Sequence, residues 1–200
     1  MKINYKLSDL KKLKEYTDLY KRCFKKFNKN LEYFDWLYNK NPMGEYQGID
    51  AFDGEKLIGQ VGGIPMKFNY NNREIKTLVS INVCVDEAYR GNKLFFNLSR
   101  MLEKYLIESN FDLLIAVGND QATPAWIKSI NLKFLSQLKS FIGIYDFSKI
   151  NIPINEYNLY MPWKKKLIDW RCSNPLNPTR IVNLNSKIIV CTKTEFPFVK

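Results

Sequence analysis

Two hundred residues with an apolar fraction of 46% and an aromatic fraction of 14% are enough for one domain with a proper core, and they exclude an unstructured chain. The chain has no histidine, which removes Ser-His and Cys-His nucleophile pairs and any metal site built on imidazole. The net charge is +11, and residues 11–29, "KKLKEYTDLYKRCFKKFNK", set eight Lys or Arg against Glu15 and Asp18. That run reads either as a solvated helix face or as a surface for an anionic partner.

The four cysteines (Cys23, Cys84, Cys172, Cys191) show no paired metal or redox spacing and read as reduced structural thiols, so no metal cofactor is expected. No apolar run approaches the ~20 residues of a membrane span, and "MKINYKLSDLKK" lacks a signal-peptide core. A cytoplasmic protein with no membrane span is the expectation.

In chain order, Leu13, Tyr16 or Thr17, Tyr20, Phe24 and Phe27 mark an amphipathic first helix, with Ser8 available as its cap. A second helix runs through "LEYFDWLYNK" and stops at Asn41-Pro42, because the residue before proline resists the helical region. "GIDAFD" and "KLIGQVGGIPMKFNY" pair across Asp53-Gly54-Glu55, a hairpin signal. "NNRE" then turns into one long strand, "IKTLVSINVCVD", in which Leu78, Ser80, Asn82 and Cys84 alternate with Val79, Ile81, Val83 and Val85. After a corner, Leu94, Leu98, Leu102 and Leu106 recur with a helical period. "FDLLIAVGN" suits a buried central strand, "QATPAWIKSIN" a helix with Pro124 in its first turn, and "LKFLSQLKSFIGIYDF" one or two closing strands. The order indicates a mixed α/β domain.

The corner itself, Arg90-Gly91-Asn92-Lys93, joins a strand to a helix with a permissive glycine between two cations. A helix N-terminus with exposed N–H groups and nearby positive charge suits a phosphate, although many strand-to-helix corners carry a glycine only to turn. "GQVGGIP" holds three glycines inside a strand and before no helix, so it reads as a bulged strand beside a cleft rather than a phosphate loop. Cys84, on the Asn82 side of the long strand, is a weak candidate acyl carrier, because no histidine exists to activate it.

Val85-Asp86-Glu87-Ala88-Tyr89-Arg90-Gly91-Asn92-Lys93-Leu94-Phe95 resembles the acetyl-CoA motif of the GNAT acyltransferases, V-x-P-x-x-R-G-x-G-x-G with the core Q/R-x-x-G-x-G/A. The resemblance covers residues 1–148 and continues in "LLIAVGNDQATPAWIKSINLKFL"; "WLYNKNP" looks closest to enzymes that acylate amino sugars. It implies a GNAT-like, mostly antiparallel central sheet flanked by helices over 1–148, with a β-rich extension over 149–200. It also implies acetyl-CoA as cosubstrate and a small-molecule amine acceptor, an amino sugar or nucleotide sugar, in preference to nucleic acid. By the same resemblance, backbone groups of Val83 and Val85 would pair with the pantetheine arm. Amides of Arg90, Gly91, Asn92, Lys93, Leu94 and Phe95 would cradle the pyrophosphate, and Asn119 would lie near the cofactor. Ser80, Asn82 and Trp36 are the acceptor-side candidates.

Three departures from the pattern matter. Lys93 and Phe95 stand where the motif has small residues, Asn82 where the central strand often has a carboxylate, and Ile127 where a tyrosine often protonates the thiolate. No catalytic acid or base can be named. Two rivals follow: a tandem-GNAT enzyme using aminoacyl-tRNA, suggested by the basic first helix, and a binding module without turnover. Finally, "FDWLYNKNPMGEYQGIDAFDGEKLIG" (34–59) is echoed by "IDWRCSNPLNPTRIVNLNSKIIV" (168–190), which suggests that the extension repeats the opening of the domain and places Trp170 near the acceptor cleft.

Overall fold

The computed structural model describes residues 2–24, 28–137, 158–177, 179–184 and 187–192. Phe27, Lys25 and Lys26 of the expected first helix lie outside the described residues. So do residues 138–148 of the expected closing strands; residues 133–137, which lead into them, form no strand.

The sheet runs β1 (Ile3–Leu7), β2 (Gln47–Asp53), β3 (Lys56–Tyr70), β4 (Arg73–Ser80) and β6 (Leu113–Ala116), antiparallel except for the parallel pair β4–β6. Two short strands, β5 (Cys84–Val85) and β7 (Leu159–Tyr160), also pair with β3. Helices α1 (Leu13–Cys23), α2 (Leu31–Phe34, continued by a π-helical turn over Asp35–Asn39) and α5 (Lys165–Cys172) cover one face. Helices α3 (Leu94–Glu108) and α4 (Ala122–Ile130) cover the other. The sheet is therefore buried on both sides, which is why β3 shows ten consecutive buried residues from Leu57 to Met66. A separate hairpin, β8 (Thr179–Leu184) with β9 (Lys187–Thr192), ends the chain. No helix among the described residues is long and apolar enough to cross a membrane.

Several expectations need correction. Strand β1 precedes the first helix, and its period-two pattern (Ile3, Tyr5, Leu7) is short and mostly exposed. Ser8 does not cap a helix: its hydroxyl donates to Asp50, and Asp9 caps the short 3-10 turn before α1 by accepting from the Lys11 amide. The strand expected to be central, β6, is the outermost described strand beyond β4 and only half-buried. The two-residue turn at Asn71-Asn72 has φ of 48° and 63°, the left-handed values a tight hairpin requires and asparagine tolerates best after glycine.

The largest correction concerns the long strand. Gly63 pairs with Ser80 and Gln60 with Cys84, so two residues of β3 face three of the segment that joins β4 to β5. The extra residue makes a bulge, and Asn82 takes it up at φ 51°. A one-residue insertion reverses the side-chain phase. Val79 and Ile81 face the α1–α2 side, yet beyond the bulge Cys84 joins that side while Val83 and Val85 turn toward α3.

Candidate active site

The parallel pairing of β4 with β6 ends at Ser80 opposite Ala116. Beyond that point β5 stays with β3, and the chain after β6 turns into α4, so the two strands part and leave a wedge. Within the wedge, the Asp86 N–H donates to Ile58 of β3 at 2.8 Å. Alternation then turns the backbone of Val85 away from β3 and toward the opening. The Val85 carbonyl accepts from Arg90 Nε at 3.4 Å. Ser80, at the vertex, gives its hydroxyl proton to the Gly62 carbonyl at 3.0 Å.

Asn119 follows β6 by three residues. Its Oδ1 accepts from the amides of Gln121 and Ala122 at 3.1 and 2.8 Å, so its side-chain oxygen is spent on capping α4. Glycines 62 and 63 lie opposite the bulge, and each is required by backbone crowding. A Cβ on Gly62 would meet the Gln47 carbonyl, and one on Gly63 the Val79 carbonyl. This explains the glycine cluster without a phosphate.

The corner begins with a 3-10 turn, Glu87–Tyr89, capped by Asp86 through the Ala88 amide. Burial would raise the Asp86 carboxyl, but Arg22, the Ala88 amide and Lys56 outweigh it and hold the group below the usual carboxylate range. Arg22 Nε lies 2.8 Å from Asp86, and its terminal nitrogen donates to the Leu57 carbonyl at 2.6 Å. One cation of the basic first helix is thus a structural tie to the strand below the corner.

Gly91 has φ 84°, and a Cβ there would meet nothing within 4 Å. Its glycine is demanded by the backbone and leaves open space. Lys93 takes φ 55° directly before α3 and supplies no side-chain cap. It occupies the left-handed conformation that a glycine at the motif position would take at no steric cost, roughly 1 kcal/mol less comfortable for a lysine. The first residue to bond back into the helix is Asn97, to Lys93. The preceding amides carry no side-chain cap, and the exposed residues Arg90 to Lys93 lead into this helix N-terminus. Phe95 does not obstruct it, because its ring stands edge-on to Trp126 at 5.1 Å between α3 and α4.

On the opposite face lies a buried polar row that sequence reasoning missed. Asp50, Gln60 and Cys84 are cross-strand neighbours. Asp50 is 1% exposed and accepts from Ser8 at 2.8 Å and Tyr16 at 2.7 Å. Burial pushes its carboxyl up to about 6, against the hydrogen bonds from Tyr16 and Ser8. Gln60 Oε1 accepts from Tyr20 and Tyr38 at 2.9 and 3.3 Å. The available signal was Asp50 between Ile49 and Ala51 in a strand buried on both faces. Cys84, 6% exposed, sits in this core, and burial pushes its thiol up, so it does not reach the wedge as a nucleophile.

Trp36, expected at the acceptor, is 4% exposed and stacks on Trp170 at 5.0 Å. Each indole N–H donates to the other residue's carbonyl, Trp36 to Trp170 at 2.8 Å and Trp170 to Trp36 at 3.0 Å. The ring is a core element and offers no open face to a substrate. Asn82 is tied to Lys29, whose Nζ lies 3.1 Å from its Oδ1, while Ile127 lies exposed on α4. Among the described residues no group of three or more Cys, Asp or Glu gathers as a metal cluster.

The sequence model of the GNAT acetyltransferase domain matches residues 4–119. No curated protein matches the sequence. Among solved structures, a predicted acetyltransferase from Clostridium acetobutylicum with acetyl-CoA is similar at 18% identity and TM-score 0.55, over 70% of this chain and 96% of that one. An aminoglycoside acetyltransferase from an uncultured soil metagenomic sample, in complex with sisomicin, is similar at 14% identity and TM-score 0.55, over 72% and 97%. A probable N-acyltransferase from Enterococcus faecalis is similar at 18% identity and TM-score 0.54, over 62% of this chain but only 31% of its own length. Strand order, wedge and corner agree with the family match: the chain belongs to the GNAT acetyltransferases.

Proposed function

We propose that the protein transfers an acetyl group from acetyl-CoA to an amine, with an amino sugar or a sugar nucleotide as the acceptor class. The observation that carries this reading is the pairing of the wedge with the uncapped N-terminus of α3 at one end of the sheet. The pyrophosphate would lie against the amides of residues 90–95, where the helix dipole and the Arg90 and Lys93 charges favour anions. The pantetheine arm would enter the wedge along the outward backbone of Val83 and Val85. Its thioester carbonyl would reach the vertex near Ser80 and Asn82, with Asn119 at the open end.

In the reaction, the amine nitrogen forms a bond to the acetyl carbonyl carbon, the carbon–sulfur bond breaks, and coenzyme A leaves as thiolate. The nitrogen gives up a proton and the sulfur takes one. A backbone N–H at the vertex would stabilise the tetrahedral oxyanion. Asn82 cannot be the base, and no titratable side chain stands at Ile127, so water would carry the protons. A thiol with pKa ~8.5 is a competent leaving group near neutral pH, which makes a dedicated acid dispensable.

The soil aminoglycoside acetyltransferase supports the amine class, and the structure with acetyl-CoA supports the cosubstrate. The experiment is a free-thiol assay with acetyl-CoA across a panel of amines. Acceptor-dependent thiol release supports the reading; binding of coenzyme A with no turnover on any amine favours a non-catalytic module.

A further inference from the structure

Lys29 stands beside the bulge. Its Nζ lies 3.1 Å from Asn82 Oδ1 and 4.9 Å from the centroid of Tyr33. From Tyr33 a file of rings continues, 5.6 Å to Trp36 and 5.0 Å from there to Trp170. Arg171 closes it, with its guanidinium carbon 6.0 Å from Trp36 and 5.9 Å from Trp170. Neither Lys29 nor Arg171 has a carboxylate partner among the described residues. The bulge therefore presents a cation, held by an amide, at a point where the motif family often presents a carboxylate. A second cation sits at the far end of the same aromatic file.

This arrangement repels a bare ammonium ion and attracts an anion. Rings beneath both cations hold their stems while leaving ammonium and guanidinium hydrogens free. Lys29 spends one of its three donors on Asn82, and the remaining two suit a phosphate or carboxylate oxygen. We infer that the acceptor is an anionic amine whose phosphate or carboxylate group is recognised by Lys29, with Arg171 as the outer contact. This rests on the acyltransferase reading of the same site, and it narrows the acceptor within it. Lys29 and Arg171 are specificity-determining residues; they leave the thioester chemistry to the wedge.

Matched acceptors test it on the full chain: glucosamine against glucosamine 6-phosphate for phosphate, and propylamine against β-alanine for carboxylate. The anionic member of at least one pair should be favoured tenfold or more in kcat/KM, and the pair showing the preference identifies the group. Lys29→Met should lower that preference about tenfold, mainly through KM, while Lys29→Arg keeps most of it and acetyl-CoA affinity stays constant. Arg171→Met should have the smaller effect in the same direction. Equal or better turnover of the neutral members, or a preference that survives Lys29→Met, overturns the inference and leaves acetyl transfer standing. Tight tRNA binding at ~150 mM salt that is lost in Lys29→Met overturns the small-molecule assignment. Failure to bind acetyl-CoA at all removes the acyltransferase reading and this inference with it.

Discussion

Two stretches of this chain follow the same local course to different ends. The first runs from Asp35 and Trp36 through Asn41-Pro42 into the β2–β3 hairpin; the second runs from Asp169 and Trp170 through Asn174-Pro175 into β8–β9. The asparagines even make the same turn, Asn41 Oδ1 accepting from the Met43 amide and Asn174 Oδ1 from the Leu176 amide. Both hairpins close with two residues between the paired strands. Yet β3 spans 15 residues and joins three other strands besides β2, whereas β9 has six and, among the described residues, pairs only with β8. Similar local signals thus set the turn and the hairpin, and packing decides how far the strand grows. The first stretch is packed into a sheet buried on both faces; the second contributes a helix that locks onto the first through a reciprocal indole pair.

The strongest way to break the comparison is to remove that pair. Trp170→Ala should destabilise the chain by about 3–5 kcal/mol in denaturant unfolding, and Trp36→Ala by a similar amount. Because each indole touches the other, the double variant should cost clearly less than the two added together. Full additivity would mean that the two tryptophans are independent core residues and that the reciprocity is incidental.

A second test exploits a group with no described counterpart in the shorter stretch, the buried Asp50. Its carboxyl is raised to about 6 by burial, so the folded chain holds a proton there that the unfolded chain releases nearer to pH 4. The associated stability is present below the unfolded value and is lost as pH rises through about 6. Asp50→Asn should therefore stabilise the protein at neutral pH by on the order of 1–3 kcal/mol, with the difference closing toward pH 4. A variant less stable at pH 7.5 than at pH 4, relative to the parent, would contradict the buried-carboxylate account.

Smaller effects belong to the corner, which lies outside both stretches. Gly91→Val places a side chain in open space at φ 84°, so its cost to stability should stay near 1–2 kcal/mol. Its cost to acetyl-CoA binding should be tenfold or more in affinity, because the side chain enters the phosphate approach. Lys93→Gly should have the least effect, a gain of about 1 kcal/mol from relief of the left-handed conformation at φ 55°. Thermal unfolding measures both variants, and a destabilised Lys93→Gly would show that the lysine side chain holds the corner.

Much of this was legible in the chain. The strand, corner and helix around Gly91 could be read because hydrophobic period changes from two to 3.6 across a glycine. The bulge could not, since the apolar alternation from Leu78 to Val85 continues smoothly, and only pairing with β3 reveals the extra residue at Asn82. The echo of Trp36 in Trp170 was visible as spelling, but their mutual hydrogen bonds depend on how α5 docks. Trp36 itself was misplaced at the acceptor because an aromatic on a helix gives no sign of which partner covers it. Lys29 was hidden inside a basic run, and its meaning comes from an asparagine 53 positions away.

The central claim is that the corner and the wedge together hold acetyl-CoA. Titration calorimetry of the full chain with acetyl-CoA tests it most directly. A saturable, single-site heat that weakens as salt is raised is the predicted result; no heat at millimolar acetyl-CoA, from a chain shown to be folded, would contradict it.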